Sequence, residues 1–320
     1  MLERQMKTPL SPNNQAKLFY FSLFKRKSVY LACVLAGLTL ICSPYISLAQ
    51  RAVQDNLRPS VMERLDEAEA DRLLTLFKAQ RLEENFCFKF QLEHKPRRGR
   101  TVRYEGIMYG SWNDQGPISR FKVFPDKVGE ESSIVLSPVE IIVQNGLSQK
   151  AWIRRQNSEA FVLIEDSMLF EPILDGVLYT PFDLQMPFVF WNDYKYEGPS
   201  RVLSRIGQKF LMFPPSDSLA ERDGITGVRV SVDDTYYALL RAEVLRGDNQ
   251  ACSQFTIRGI KKIQDQYIVK EVEMKNLLTK DATTFKVKAA SIGLSFDDTI
   301  FNPESAARLP QIPATSFEAL

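Results

Sequence analysis

Residues 85–110, NFCFKFQLEHKPRRGRTVRYEGIMYG, decide the fold, because apolar side chains recur at every second position in two runs. The first run contains Phe86, Phe88, Phe90 and Leu92, and the second contains Val102, Tyr104, Gly106 and Met108. A period of two is that of a β-strand with one face in the core and the other partly exposed. The turn His94–Gly99 lies between the runs, so the stretch predicts two consecutive strands.

Short segments of the same kind continue to Ile292, each bounded by Gly, Asn, Asp, Ser or Pro. In the first half of the chain the further predicted strands are Ser119–Phe124, Ile134–Leu136, Val139–Gln144, Ala151–Arg155 and Phe161–Ile164. In the second half they are Tyr194–Glu197, Arg201–Ile206, Phe210–Phe213, Val228–Val232, Leu240–Leu245, Gln254–Ile260, Tyr267–Met274 and Thr284–Ile292. Consecutive short strands with tight turns favour an antiparallel sheet over βαβ units. Because no linker divides the run, the sequence predicts one domain.

A helix is predicted before the strands, from about Val61 to Arg81. Ser60 followed by Glu63 has the spacing of a capping box, which satisfies free amide groups of a first helical turn. Apolar residues recur at three- and four-residue spacing, as one face of an amphipathic helix requires: Val61, Leu65, Ala68, Leu73, Leu76 and Phe77.

The first 49 residues have the order of a secretory signal peptide. A basic cluster precedes the apolar run Ser28–Ile41, and Ser47 and Ala49 supply small residues before Gln50. We expect cleavage after Ala49 and a polar spacer over residues 50–59. The alternative is an uncleaved anchor over residues 28–49. Lipidation is not expected, because neither of the two cysteines in this region follows a lipobox.

Export changes the charge of the chain. The full sequence has 41 Lys and Arg and 39 Asp and Glu, but six of the basic and one of the acidic residues lie in residues 1–49. The remaining chain is slightly acidic, so a nucleic-acid partner is not expected. At 44% apolar residues, about 270 remaining residues suffice for a sizeable core.

Two cysteines, Cys87 and Cys252, remain after processing. In an oxidising compartment they form either a disulfide or two free thiols, and we expect them on strands near the two ends of the sheet. No metal site is expected, because the chain has no CxxC motif and one histidine.

Residues 166–191, DSMLFEPILDGVLYTPFDLQMPFVFW, interrupt the alternation. The segment is apolar and contains three prolines, so it predicts short helices or a loop that covers the sheet. Such a segment either plugs the sheet face permanently or gates a ligand site.

The order of these features resembles the LolA-like family of periplasmic lipoprotein-sorting proteins, over about residues 60–303. The resemblance depends on Tyr179–Leu184 ahead of Phe188–Trp191, and on a C-terminal meander: Val228–Asp233, Phe255–Lys262, Tyr267–Met274 and Phe301–Pro303. It implies an α+β, mainly β fold: a curved antiparallel sheet, or incomplete β-barrel, with an N-terminal amphipathic helix and short covering helices. The half-barrel domain is expected over residues 60–305, followed by a disordered tail over residues 306–320.

The resemblance also implies a periplasmic, monomeric, non-catalytic carrier without a cofactor, which binds lipids or lipoprotein acyl chains and contacts membranes transiently. An apolar cavity suits acyl chains, since each buried methylene contributes about 0.8 kcal/mol. The candidate lining residues are Phe86, Phe88, Phe90, Tyr104, Met108, Phe182, Phe188 and Trp191.

Other polar groups favour ordinary turns over chemistry. His94 and the basic cluster at residues 97–100 lie in the predicted turn, and two Asp pairs, at 233–234 and 297–298, follow strands. The first alternative to a carrier is an interaction or regulatory module of the envelope-stress sensor type on the same scaffold. A carbohydrate-active enzyme that uses the Asp pairs ranks far behind.

Overall fold

The computed structural model describes residues 62–80, 82, 84–125, 138–155, 158, 160–264, 266–305 and 307–320. The predicted signal peptide, its cleavage site, Ser60 of the predicted capping box and the predicted strand Ile134–Leu136 lie outside these residues. In the described part of the chain, no helix is long and apolar enough to cross a membrane.

The molecule is built on one large antiparallel sheet. Its first six strands are β1 (Asn85–Lys95), β2 (Val102–Asn113), β3 (Gly116–Pro125), β4 (Val139–Gln144), β5 (Lys150–Arg155) and β6 (Val162–Leu163). The others are β7 (Tyr194–Val202), β8 (Arg205–Met212), β9 (Ile225–Asp233), β10 (Leu239–Arg246), β11 (Gln250–Ile263), β12 (Gln266–Asn276), β13 (Ala282–Leu294) and β14 (Glu318–Ala319).

Two meanders make up this sheet, and they meet where β1 pairs with β13. Strands β1 to β6 follow one another in one direction, and β13 back to β7 follow in the other. The sheet is curved but not closed, because β6 and β7 remain as its two edges. The predicted incomplete barrel is therefore confirmed.

The alternation in β1 divides its side chains between two faces. Phe86, Phe88 and Phe90 belong to a large inner cluster on the concave face, whereas Cys87 belongs to a smaller outer cluster. The rings of Phe90 and Phe86 lie over Gly106 and Gly110 of β2: a Cβ at these glycines would lie 2.2 and 1.9 Å from the nearest ring atoms. These two glycines make room for the aromatic layer of the core.

The N-terminal helix α1 runs from Glu67 to Lys78, so the predicted start at Val61 is wrong. Asp66 is the N-cap, and its carboxylate accepts a hydrogen bond of 2.8 Å from the Glu69 N–H. Because the helix begins later, the buried face also differs from the predicted stripe: Ala68 is exposed and Leu76 is half-buried. The buried residues are Ala70, Leu73, Leu74 and Phe77.

Residues 166–191, called the cover below, cross the concave face as short helices, as predicted. They contain 3-10 helices at Asp166–Met168 and Pro187–Phe190 and the helix α2 at Pro181–Gln185. Thr180 and Asp183 form a capping box at the start of α2. A third short helix, α3 at Leu219–Arg222, lies ahead of β9.

One predicted strand, Arg201–Ile206, is wrong. These residues contain the end of β7, a turn and the start of β8. Leu203 in this turn has a left-handed φ of 55°. The turn contains no Gly, Pro, Asn or Asp, which is why the sequence gives no signal for it.

The predicted disordered tail is also wrong for residues 307–320. The Tyr109 hydroxyl donates to the Pro310 carbonyl oxygen at 2.8 Å, Phe317 packs in the outer cluster, and β14 pairs with β13. The outer face of β1 to β5 is apolar, so the C-terminal segment stabilises the fold by shielding it from water.

Arg120 anchors this C-terminal segment. It is 1% exposed, and its guanidinium donates to the carbonyl oxygens of Ile300 and Ala307 at 2.7 and 3.2 Å. It also pairs with Glu140 at 2.6 Å. Burial alone would raise the pKa of Glu140, but hydrogen bonds and charge from Arg120 and Arg154 hold it below its usual value. The buried guanidinium is thus fully paired.

Candidate functional site

The eight predicted cavity residues lie together in the inner cluster. All are buried, with at most 6% exposed: Phe86, Phe88, Phe90, Tyr104, Met108, Phe182, Phe188 and Trp191. The first five lie on β1 and β2, and the last three lie on the cover. The structure therefore brings the sheet face and the cover into direct contact.

Little space remains between them in this conformation. The cavity beneath the cover has a volume of about 30 Å³, and Phe90 is the one member of the predicted set that lines it. Sites for drug-sized ligands have volumes of about 300 to 1,000 Å³. The cover is thus seated as a plug, and an acyl chain could enter the interior only after the cover moves.

A larger groove, called the edge groove below, lies between β5–β6 and the first half of the cover. Its volume is about 330 Å³, and its walls are mainly apolar, with Ile153, Ile164, Met168 and Ile173 among the lining residues. Ile173 also lines the cavity beneath the cover. One side chain therefore separates an open apolar groove from the interior.

Two further grooves flank the other sides of the cover. One, of about 480 Å³, contains aromatic residues such as Phe190 and Trp191 beside the polar Gln185. The other, of about 340 Å³, lies against β10 to β12 and contains Asp183 and Arg246. Both are more polar than the edge groove, so they suit an acyl chain less well.

The cover is held by few polar contacts with the sheet. At one rim, the Tyr104 hydroxyl donates to the Asp175 carbonyl oxygen at 2.6 Å, and the Leu178 N–H donates to the Thr283 hydroxyl at 3.0 Å. At the other end, the Asn145 side chain donates to the Leu184 carbonyl oxygen at 3.3 Å. The Lys78 ammonium donates to the Trp191 carbonyl oxygen. Apolar contacts supply the rest of the attachment.

Asp183 inside the cover has a perturbed acidity. Burial raises its pKa to about 6, and hydrogen bonds from the hydroxyl and N–H of Thr180, at 2.7 and 2.9 Å, limit the rise. The carboxylate is therefore mostly ionised at neutral pH and protonated in mild acid.

His94 is not part of a turn, contrary to the sequence prediction. It lies on β1, is 8% exposed, and its Nδ1 is 2.8 Å from the Thr283 hydroxyl oxygen. Sequence reasoning missed Thr283, because it lies far from His94 in the chain and carries no motif.

The two Asp pairs lie at turns, as predicted. The Asp233 carboxylate accepts from the N–H groups of Thr235 and Tyr236, and Asp297 caps the 3-10 helix at Asp298–Phe301. Among the described residues, no group of three or more His, Cys, Asp or Glu side chains could hold a metal ion.

Both cysteines are free thiols in this structure. Cys87 is buried in the outer cluster and Cys252 packs against the inner cluster, so the sheet lies between them. Their predicted placement near the two ends of the sheet is wrong: β1 and β11 are inner strands, separated by β13 and β12. Burial raises the pKa of Cys87 to about 12.

Comparison with known proteins gives similar folds at low sequence identity. A family model described as an uncharacterized protein matches residues 220–308. A search of curated proteins gives no match. Among solved structures, a DUF1329 family protein from Desulfovibrio piger has 13% identity and a TM-score of 0.60, covering 73% of this chain and 96% of its own.

Two other structures are similar over the same share of the chain. A putative outer membrane lipoprotein-sorting protein domain from Vibrio parahaemolyticus has 11% identity and a TM-score of 0.59, covering 73% of this chain and 95% of its own. A LolA superfamily protein from Nitrosomonas europaea has 11% identity and a TM-score of 0.52, covering 72% and 96%. The chain therefore has the LolA-like fold that its sequence pattern predicted.

Proposed function

We propose that this chain is an exported, non-catalytic carrier that binds acyl chains of lipids or lipoproteins beneath its cover. The observation that carries the proposal is the cover itself: an apolar segment seated on the aromatic concave face of an unclosed sheet. Segments with few fixed polar contacts open locally at low cost in free energy. The scaffold fits this role, since a protein described as a putative lipoprotein-sorting domain shares it.

The edge groove is the proposed entrance. An acyl chain placed along Ile153, Ile164 and Met168 meets Ile173, which also faces the interior cavity. Displacement of Ile173 with the cover would join the two spaces. Each methylene that the ligand then buries contributes about 0.8 kcal/mol, which offsets the contacts that the cover loses.

A reversible cross-link tests whether the ligand enters beneath the cover. A Cβ placed on Gly176 of the cover would lie 3.7 Å from the Val102 Cβ on β2, which matches the mean Cβ–Cβ distance of about 3.8 Å in disulfides. We therefore expect Val102→Cys/Gly176→Cys to lock the cover when oxidised. In a Cys252→Ser background, the buried Cys87 is the one other cysteine in the described residues.

Binding of a fluorescent fatty acid is the readout. The oxidised double variant should lose binding, and reduction should restore it, whereas each single variant should bind under both conditions. The single Gly176→Cys variant also controls for strain, because Gly176 has a φ of 67°. Equal binding by the oxidised and reduced forms would place the ligand outside the cover.

A partner-binding module on the same scaffold is the second candidate. Val162, Leu163 and Met168 are exposed by 59, 50 and 50% at the open sheet edge, as a protein-binding surface requires. This surface lies outside the cover, so the cross-linked protein would keep partner binding. Loss of fatty-acid binding in the locked form would therefore favour the carrier.

Cleavage after Ala49, a periplasmic location, a monomeric state and transient membrane contact complete the proposal. Intact mass of the exported protein tests the cleavage: a mature form should begin at Gln50, and a full-length form in membranes would favour the anchor. Size-exclusion chromatography with light scattering tests the monomer.

A further inference from the structure

His94, Thr283 and Leu178 form a buried chain of hydrogen bonds at the rim of the cover. His94 on β1 lies opposite Thr283 on β13. The His94 Nδ1 is 2.8 Å from the Thr283 hydroxyl oxygen, and that oxygen accepts the Leu178 N–H at 3.0 Å. Thr283 is 0% exposed. The only histidine of the chain is thus connected to the backbone of the cover.

The direction of these hydrogen bonds depends on the charge of the imidazole. A threonine hydroxyl donates one hydrogen bond and accepts up to two. Because the Thr283 oxygen accepts from Leu178, its proton is free to be donated to Nδ1 of a neutral imidazole with hydrogen on Nε2. A protonated imidazole has no acceptor nitrogen. The Thr283 proton then loses this partner, and a positive charge is buried at the rim.

We propose that His94 is a pH-sensitive latch, whose protonation releases cover residues 175–178 from the rim. The same rim carries the Tyr104–Asp175 hydrogen bond and the contact between Gly176 and Val102, so release there would free one end of the cover. The consequence for ligand exchange rests on the proposed carrier function, whereas the latch itself is tested without ligand.

The surrounding charges set the direction of the effect. Burial lowers the pKa of His94, and the nearby Asp281 carboxylate partly opposes this. The closed cover therefore favours the neutral imidazole: its contribution is present at neutral pH and is lost as pH falls below about 6.5. Hydrogen bonds from the Thr279 hydroxyl and the Arg97 N–H lower the pKa of Asp281, so Asp281 stays ionised between pH 5 and 7.5.

Other charged groups near this rim are few. Lys95 and Arg103, on β1 and β2, both pair with Glu93, and Asp175 lies in the cover. Asp183 titrates near pH 6, but it contributes to the separate groove beside Arg246. A variant at Asp183 is therefore a required control.

Hydrogen exchange of the peptide 173–179, measured by mass spectrometry at pH 7.5 and 5.0, tests the latch. Protection factors are corrected for the intrinsic pH dependence of exchange. If the released imidazole has a pKa near 6.5 and the closed one stays neutral, protection falls by at most about 30-fold at pH 5.0. We expect a loss of several-fold up to this limit in the wild type and in Asp183→Asn.

Two variants at the latch separate it from general destabilisation. His94→Asn keeps an acceptor near the position of Nδ1, so its protection should change less than twofold between the two pH values. Thr283→Val removes the acceptor of the Leu178 N–H, so protection should be low at both. Peptides from β9 and β10 serve as the internal reference.

Three results would overturn the proposal: unchanged wild-type protection, the same pH dependence in His94→Asn, or an equal loss in β9 and β10. A failed latch leaves the fatty-acid test of the cross-linked cover unaffected. The two proposals can therefore fail independently.

Discussion

Replacement of Phe90 by alanine should be among the most destabilising changes in the chain. Phe90 is 1% exposed, and its ring centroid lies 4.8 Å from that of Phe285 and 6.2 Å from that of Phe121. Buried Phe→Ala changes cost about 3 to 5 kcal/mol, and each lost aromatic pair adds about 0.5 to 1.5 kcal/mol beyond burial. We therefore expect a loss near the upper end, about 4 to 5 kcal/mol.

Urea unfolding at constant m-value measures this loss. Gln91→Ala is the matched control, because Gln91 is the next residue on β1 and lies half-buried on the other face; it should change stability by about 0.5 kcal/mol or less. A loss below about 1 kcal/mol for Phe90→Ala would refute the packed interior. Since Phe90 also lines the cavity beneath the cover, the variant should bind a small apolar probe more tightly than the wild type.

Three other predictions follow from single contacts. Arg120→Met should detach residues 307–320 and cost about 3 to 5 kcal/mol, because it leaves Glu140 buried without its main partner; faster proteolysis of the C-terminal segment checks this, and an unchanged rate would contradict it. Asp183→Asn should remove a pH-dependent stabilisation: the raised pKa of Asp183 makes the folded state bind a proton more readily, so wild-type stability gains as pH falls from about 6 toward 4. Denaturation at pH 4.5 and 7 should show this gain in the wild type and not in the variant. Native thiol labelling should modify the half-buried Cys252 and spare Cys87, whose pKa is about 12; equal labelling would contradict the burial of Cys87.

The sequence predicts the sheet well because β-strand periodicity is local. Phe86, Phe88 and Phe90 alternate with polar residues, and burial follows the same pattern in the structure. The cover is equally visible, since a long apolar segment without alternation must be buried against another surface. Both signals come from neighbouring residues.

Features that depend on distant contacts were not predictable. The C-terminal segment appears disordered from its composition, yet it is held by Arg120 and Tyr109, far away in the chain. The contact of His94 with Thr283 depends on the pairing of β1 with β13. The start of α1 was missed for a different reason: two capping signals compete, and Asp66 is the one used.

Native mass spectrometry of the mature protein purified from membranes tests the central claim most directly. A carrier should retain acyl-chain ligands as discrete mass adducts that disappear in organic solvent, and the oxidised Val102→Cys/Gly176→Cys protein should exchange them far more slowly than its reduced form. A bare protein mass, even after incubation with excess phospholipid and fatty acid, would contradict the claim.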